Sequence, residues 1–362
     1  MLSHLDHGRV RRITLVAPAV LRPYLPDAYD DFVDTGPLGL TGCFTTASAL
    51  CRDARIIGSL LRECAPDVVL GMMHYPSALV TLGARLSRVR THVIASYRGP
   101  FYEYLRRYEQ GFRRRLLLRT VVAGTAWLAN RVIVPSSGTA AELRRRFLTP
   151  SARIVTILNG IDHAAVARAI AAPTPELADL DGMETPVLCA MARLAPEKNL
   201  GLLLTAFRQV CAIRPARLII LGDGPERAAL EAQIADWGLT TAVYLLGYHD
   251  NVYPYLRRAD LFIHTCEFEG FGYAMLEALA CGTAVIATDC PYGPREILGD
   301  SEYGVLIRPN DPQALADAIL SLLRDPARRQ ALAKHGLERA EQLSIQRMVT
   351  AYQSIFTGLV HH

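Results

Sequence analysis

The chain has 362 residues, 51% of them apolar and 20% charged, with 26 Gly and 21 Pro. That mix fits a soluble globular protein of two or three domains and excludes disordered, collagen-like and small disulfide-framework classes. The net charge of +4 conceals an asymmetry: residues 1–180 carry 23 Arg or Lys against 14 Asp or Glu, and residues 181–362 carry 16 against 21. Halves of opposite sign point to separate tasks.

In chain order, β-branched runs at 13–17, 67–71, 92–96, 132–135 and 154–157 predict strands in the first half. Runs at 187–191, 218–222, 243–246, 261–264, 284–288 and 305–307 predict them in the second, with helical patterns such as 200–213, 226–237 and 312–323 between. This alternation predicts an α/β protein with parallel sheets covered by helices on both faces. The Pro- and acid-rich stretch 172–186 interrupts the pattern and reads as a linker. The expected organisation is therefore an N-terminal domain 1–171, a linker 172–186, a C-terminal domain 187–343, and a final helix, 344–362, that crosses back to the first domain. Two doubly wound domains would face a central cleft, with ligands at the carboxyl ends of the strands.

No run approaches the ~18–20 uninterrupted apolar residues of a membrane span. The opening MLSHLDHGRVRR lacks the apolar core of a secretory signal and reads as the tail of a helix. About fifty residues then separate the first predicted strand from the second with no clear strand between. The cysteines at 43, 51, 64, 189, 211, 266, 281 and 290 show no C-x-x-C and no zinc spacing, and read as buried thiols of a reducing compartment.

The strongest motif is Glu269-Gly-Phe-Gly-Tyr-Ala-Met-Leu-Glu277, between two predicted strands. A helix is expected from Phe271 to Gly282, with one carboxylate at its N-terminus and the other about two turns deeper. Free N–H groups and a positive dipole end make that N-terminus an anion site. The second motif, Arg193-Leu-Ala-Pro-Glu-Lys198-Asn199, follows a strand. Its two cations can neutralise a departing diphosphate, and Asn199 can cap the next helix. Gly222-Asp-Gly224 marks a strand-to-helix turn, equally well explained by the turn alone. Asp179-Leu-Asp181 mimics a metal-binding D-x-D but sits in the linker after no strand, so no metal is expected.

RLAPEKN, LGDGPE, LLGYHDNV, FEGFGYAMLEALACGTAVIATDC and PREIL, in this order and spacing, resemble the retaining glycosyltransferases of family 4, which have the GT-B fold. The likeness covers nearly all of 187–325 and continues more loosely through PDVVLGMMH, VIVPSSG and ILNGID. The run from Asp289 to Ile297 resembles members that build lipid-linked or surface polysaccharides. The resemblance implies that Glu269 binds donor-sugar hydroxyls near the reacting carbon, Glu277 the ribose, and Arg193 and Lys198 the diphosphate. Gly270, Phe271, Gly272 and Tyr273 would contact sugar and phosphate through their backbone, Gly222 would line the donor site, and Tyr248 the base. It also implies a UDP-linked donor, no metal, and a glycan or polyprenyl-diphosphate-linked acceptor.

The family often has His-Gly where this chain has Arg98-Gly99, so Arg98 reads either as a phosphate or acceptor contact or as a surface arginine. His74 reads either as an acceptor-side ligand or as a packed core histidine. The family opens with a strand and a Gly-rich loop; this chain reads as starting inside the helix that follows, so that 13–17 becomes the family's second strand. A late start or a truncation is the expectation. Residues 105–119 carry Arg106, Arg107, Arg113, Arg114, Arg115 and Arg119 with interleaved aromatic and apolar residues, which read either as a solvated basic helix face or as a contact with an anionic membrane surface. The lipid-linked acceptors that the resemblance implies favour the membrane, on its cytoplasmic side. No stacking or groove-reading motif points to nucleic acid. The rival readings are a catalytically silent binding subunit and a nucleotide-sugar epimerase of the same architecture.

Overall fold

A computed structural model describes residues 1–173 and 185–361. Most of the expected linker, with Asp179 and Asp181, lies outside the described residues. The chain divides into two units, residues 1–158 with 345–362, and residues 159–344. The first unit thus ends earlier than position 171. The helix His163–Ile170 belongs to the second unit because its surroundings bind it there. Asn251 donates to the Ala169 carbonyl at 2.7 Å, His163 Nε2 bonds the Ala340 carbonyl at 3.0 Å, and Ile161 bridges Ser344.

The first unit holds β1 (Thr14–Ala17), β2 (Asp31–Asp34), β3 (Val68–Met72), β4 (His92–Ser96), β5 (Arg131–Val134) and β6 (Ile154–Thr156). β3 to β6 form one parallel sheet in sequence order; β1 pairs only with β2, in a separate two-stranded parallel ladder. Thr14–Ala17 is therefore not part of the four-stranded sheet. One face of that sheet, through Val93, Ala95, Val132 and Val134, packs under the helices Ala47–Cys64, His74–Leu86 and Phe112–Leu128. Ile94 and Ile133 on the other face pack against the last helix, Ile345–Val360.

The second unit holds β7 (Val187–Met191), β8 (Arg217–Leu221), β9 (Val243–Gly247), β10 (Leu261–His264), β11 (Ala284–Thr288) and β12 (Val305–Ile307), all parallel in the order β12-β11-β10-β7-β8-β9. Leu188, Leu218, Leu261 and Ile286 face one helical layer, while Cys189, Ile219, Phe262 and Val285 on the other face are equally buried. Burial on both faces is why these strands read as unbroken apolar runs.

All eight cysteines are free. Cys43 and Cys64 are exposed, so the expectation of buried thiols holds fully only for Cys189, Cys266, Cys281 and Cys290. Among the described residues no helix is long and apolar enough to cross a membrane.

Candidate functional site

The second sheet runs outward from β7 through β8 to β9, then restarts on the other side of β7 with β10. β7 and β10 therefore flank the point where the strand order reverses, and their carboxyl-end loops part there to leave a crevice. The loop after β7 carries Arg193 and Lys198, and the loop after β10 carries Glu269. Lys198 Nζ lies 2.7 Å from Glu269 Oε2, each side chain only 19% exposed. Lys198 is one of two lysines among 39 basic residues.

Backbone bonds hold these loops in register. Glu267 N–H donates to the Glu197 carbonyl at 2.8 Å, and Thr265 Oγ1 donates to the Lys198 carbonyl at 3.0 Å. Glu269 N–H donates to the Pro291 carbonyl at 3.2 Å, tying in the loop after β11. At Gly293 a Cβ would stand 2.4 Å from the Phe271 carbonyl oxygen, so only glycine permits this approach.

Burial opposes the charge on Glu269, but His264 and the Lys198 ammonium outweigh it and hold the carboxyl below its usual range. Burial likewise opposes the charge on Lys198, and the facing Glu269 carboxylate, with Glu197 nearby, reverses that effect and keeps the ammonium protonated. The pair is ionic at neutral pH. Cys266 Sγ lies 3.5 Å from the same carboxylate oxygen. Burial and Glu269 push its pKa well up, so it is an unreactive thiol.

Glu277 lies within the helix Tyr273–Ala280, its Oε1 accepting from Tyr253 Oη at 3.2 Å. Burial raises its carboxyl to about 7, against the opposing effect of that hydrogen bond. The helix starts at Tyr273 rather than Phe271 because Gly272, at φ +93°, breaks the backbone just before it. Glu269 thus stands in the preceding loop, not on the helix tip, and its Oε1 accepts from Gly270 N–H at 3.0 Å. Phe271 is buried; Tyr273 is exposed, and its hydroxyl donates to the Gly160 carbonyl at 3.2 Å.

Arg193 is 59% exposed and bonds Glu197 Oε1 at 2.6 Å. Asn199 does not cap the following helix: its backbone is left-handed, φ 48°, and its amide donates instead to Asn310 Oδ1 at 3.1 Å. Gly222, at φ +123°, donates to the Gly247 carbonyl at 2.7 Å, and a Cβ there would stand 2.0 Å from the Ala192 oxygen. This glycine brings the loops after β7, β8 and β9 together. Tyr248 is exposed just past β9, at the far edge of the sheet.

Three residues that the sequence motifs did not single out complete the site: His264 and Cys266, which face Glu269, and Tyr253 on Glu277. His264 ends the apolar strand Leu261–His264 and Cys266 follows two residues later, neither with a pattern of its own, and Tyr253 opens a separate short helix. Donor atoms of His264, Cys266 and Glu269 lie within 4.8 Å of one another, a grouping that could hold a metal ion. The Lys198 ammonium already takes the shortest contact to that carboxylate.

Arg98 and His74 belong to the first unit. Arg98 Nη1 donates to Tyr352 Oη at 3.3 Å. His74 stacks between Tyr97 and Phe101 with ring centroids at 4.5 and 4.3 Å, and burial lowers its pKa to about 3, the behaviour of a packed neutral imidazole. The basic run is two helices, Phe101–Tyr108 and Phe112–Leu128. Its arginines are partly engaged: Arg106 with Glu103, Arg114 with Glu109, Arg115 with the Glu109 carbonyl, and Arg119 over the Tyr102 ring. Arg107 and Arg113 are exposed, as are Tyr104, Tyr108, Leu116 and Phe112, the last by 78%.

Two Rossmann-like units of parallel sheet are the architecture of the GT-B class. The Anabaena protein HepE in complex with UDP-glucose superposes with a TM-score of 0.79 over 98% of this chain and 94% of that one, at 19% identity. The family description "Glycosyltransferase Family 4" matches residues 12–165 and "Glycosyl transferases group 1" matches residues 180–339. The chain belongs to the family 4 glycosyltransferases. It is 28% identical over 213 residues to the Campylobacter jejuni N-acetylgalactosamine-N,N'-diacetylbacillosaminyl-diphospho-undecaprenol 4-alpha-N-acetylgalactosaminyltransferase, covering 59% of this chain and 56% of that protein. A Bacillus subtilis poly(glycerol-phosphate) alpha-glucosyltransferase is 36% identical over 155 residues, 42% of this chain and 23% of that one. The chain thus matches about half of the first relative's length and less of the second.

Proposed function

We propose that the protein is a retaining glycosyltransferase that moves a hexosyl or N-acetylhexosaminyl group from a UDP-linked donor to a glycan or polyprenyl-diphosphate-linked acceptor. The Lys198–Glu269 pair at the strand-order reversal carries this reading. A cation and an anion held side by side can each take one half of a sugar diphosphate: Lys198 and Arg193 the phosphates, Glu269 the sugar hydroxyls. Glu277 receives the ribose. Charge growing on the departing diphosphate meets fixed cations, so the protein's contribution is electrostatic and positional. The leaving phosphate takes the acceptor's proton on the same face, which keeps the anomeric configuration and needs no second carboxylate beside Glu269. Lys198 and Arg193 supply the positive charge, so no metal takes part.

The acceptor class follows the Campylobacter relative's undecaprenol-linked name. It agrees with a basic, aromatic surface at residues 101–119 that suits the cytoplasmic face of an anionic membrane. Incubation with UDP-GlcNAc, UDP-GalNAc, UDP-Glc and GDP-mannose tests the reading. Release of UDP with product of unchanged anomeric configuration is expected. An altered sugar still joined to UDP would make the protein an epimerase, and no turnover of any donor would make it a silent subunit.

A further inference from the structure

We propose that His264 is a positioning residue, holding Glu269 through a protonated Nε2 when Lys198 turns its charge to the donor's diphosphate. This rests on the transferase reading above. His264 is the last residue of β10 and 4% exposed. Its Nε2 is buried and has no hydrogen-bond partner among the described residues. Buried polar atoms are nearly always bonded, so such an orphan asks for an explanation. The group it faces is Glu269 Oε2, 3.6 Å away.

A neutral imidazole carries one N–H and one lone pair. A lone pair aimed at a carboxylate would repel it, so the proton belongs on Nε2. Among the described residues, Lys198, Cys266 and Cys290 act on Glu269, and the Glu197 carboxylate acts on Lys198. Both thiols are buried and hold their protons, and Lys198 is the ammonium that faces Glu269 among the described residues. Lys198 makes the shortest contact to Oε2, and a diphosphate would compete for that ammonium. The carboxylate would then lose its strongest partner in a site that water scarcely reaches, a costly state. Closing the His264 gap from 3.6 Å to an ordinary bond of ~2.8–3.0 Å replaces it. The next two residues fit this arrangement: Thr265 anchors the Lys198 backbone, and Cys266 O accepts from Thr288 Oγ1 at 2.8 Å, fixing the strand end.

The test compares His264→Leu, which removes the donor, with His264→Gln, whose amide places an N–H near the same point. His264→Leu is expected to lower kcat by about 100-fold, the scale of a misplaced catalytic group. UDP affinity should stay unchanged, because UDP lacks the sugar that Glu269 holds. His264→Gln should recover most of kcat. A purely structural histidine would move UDP binding too and would not be rescued by glutamine. Nitrogen-15 NMR of the donor-free protein gives a readout independent of turnover: a protonated Nε2 whose signal shifts in Glu269→Gln is expected. An unprotonated Nε2, a His264→Leu enzyme with wild-type kcat, or glutamine no better than leucine overturns the proposal. A wild type that turns over no sugar nucleotide would overturn the transferase reading instead, leaving NMR to decide the role of His264.

Discussion

Lys198 and Glu269, 71 positions apart in sequence, meet at 2.7 Å across the loops of two neighbouring strands. Neither charge has enough water to stand alone at 19% exposure. Lys198→Met or Glu269→Gln should each cost about 2–3 kcal/mol in unfolding free energy, somewhat below the penalty for breaking a fully buried pair. Each should also lower turnover by about 100-fold or more. The double variant should regain much of the stability, because no lone charge remains, and stay inactive. Thermal unfolding and UDP release measure the two effects separately.

Glu277 makes stability depend on pH. Its folded pKa of about 7 lies above the ordinary 4.5, so the folded protein keeps a proton that the unfolded chain releases. The stabilisation from this group is full below pH 4.5, falls as pH rises towards 7, and is lost above it. Glu277→Gln should flatten that part of the profile in urea unfolding. The proposed ribose contact uses the ionised form, so UDP affinity should rise over the same range in the wild type.

Gly222 and Gly238 both have positive φ, but only Gly222 has backbone where a Cβ would go. Gly238→Ala should cost about 1 kcal/mol, from strain alone. Gly222→Ala adds a clash with the Ala192 carbonyl and should cost about 3 kcal/mol or more. Denaturant midpoints of the two variants settle the difference, and equal midpoints would count against the packing account.

If Lys198 and Arg193 carry the positive charge, EDTA should leave the turnover of purified protein unchanged, and added magnesium should not raise it. A drop to background on chelation would show that a metal takes part, and His264, Cys266 and Glu269 would be the first ligands to test.

The surface formed by Phe101–Tyr108 and the start of Phe112–Leu128 should bind anionic vesicles and release them as salt rises. Replacing Arg113, Arg114 and Arg115 by serine should abolish binding, since each basic residue contributes about 1 kcal/mol at such a surface. Phe112→Ser should weaken binding without changing its salt dependence. Sedimentation with vesicles reads both, and salt-independent binding would argue against this surface.

Runs buried on both faces, such as Leu261–His264 and Ala284–Thr288, announced their strands because nothing polar interrupts their apolar cores. Asp31–Asp34 gave no such signal: aspartates at both ends bracket only Phe32 and Val33. The basic run is not one helix face but two helices, because the chain leaves the helix at 109–111, where the Glu109 carbonyl accepts from Arg115. Glu269, Glu277, Arg193 and Lys198 stood out by type and spacing. Which cation meets which carboxylate was not legible, because strand order, not sequence order, sets β7 beside β10. His264 was hidden because one polar residue ending an apolar strand has no pattern of its own.

The scarcity of lysine has a practical consequence. Protein grown on isotope-enriched lysine would give only two ammonium spectra, from Lys198 in the crevice and Lys334 on the surface. The resonance that moves when a sugar nucleotide is added would need no assignment experiment, and occupancy of the crevice could be followed directly in solution.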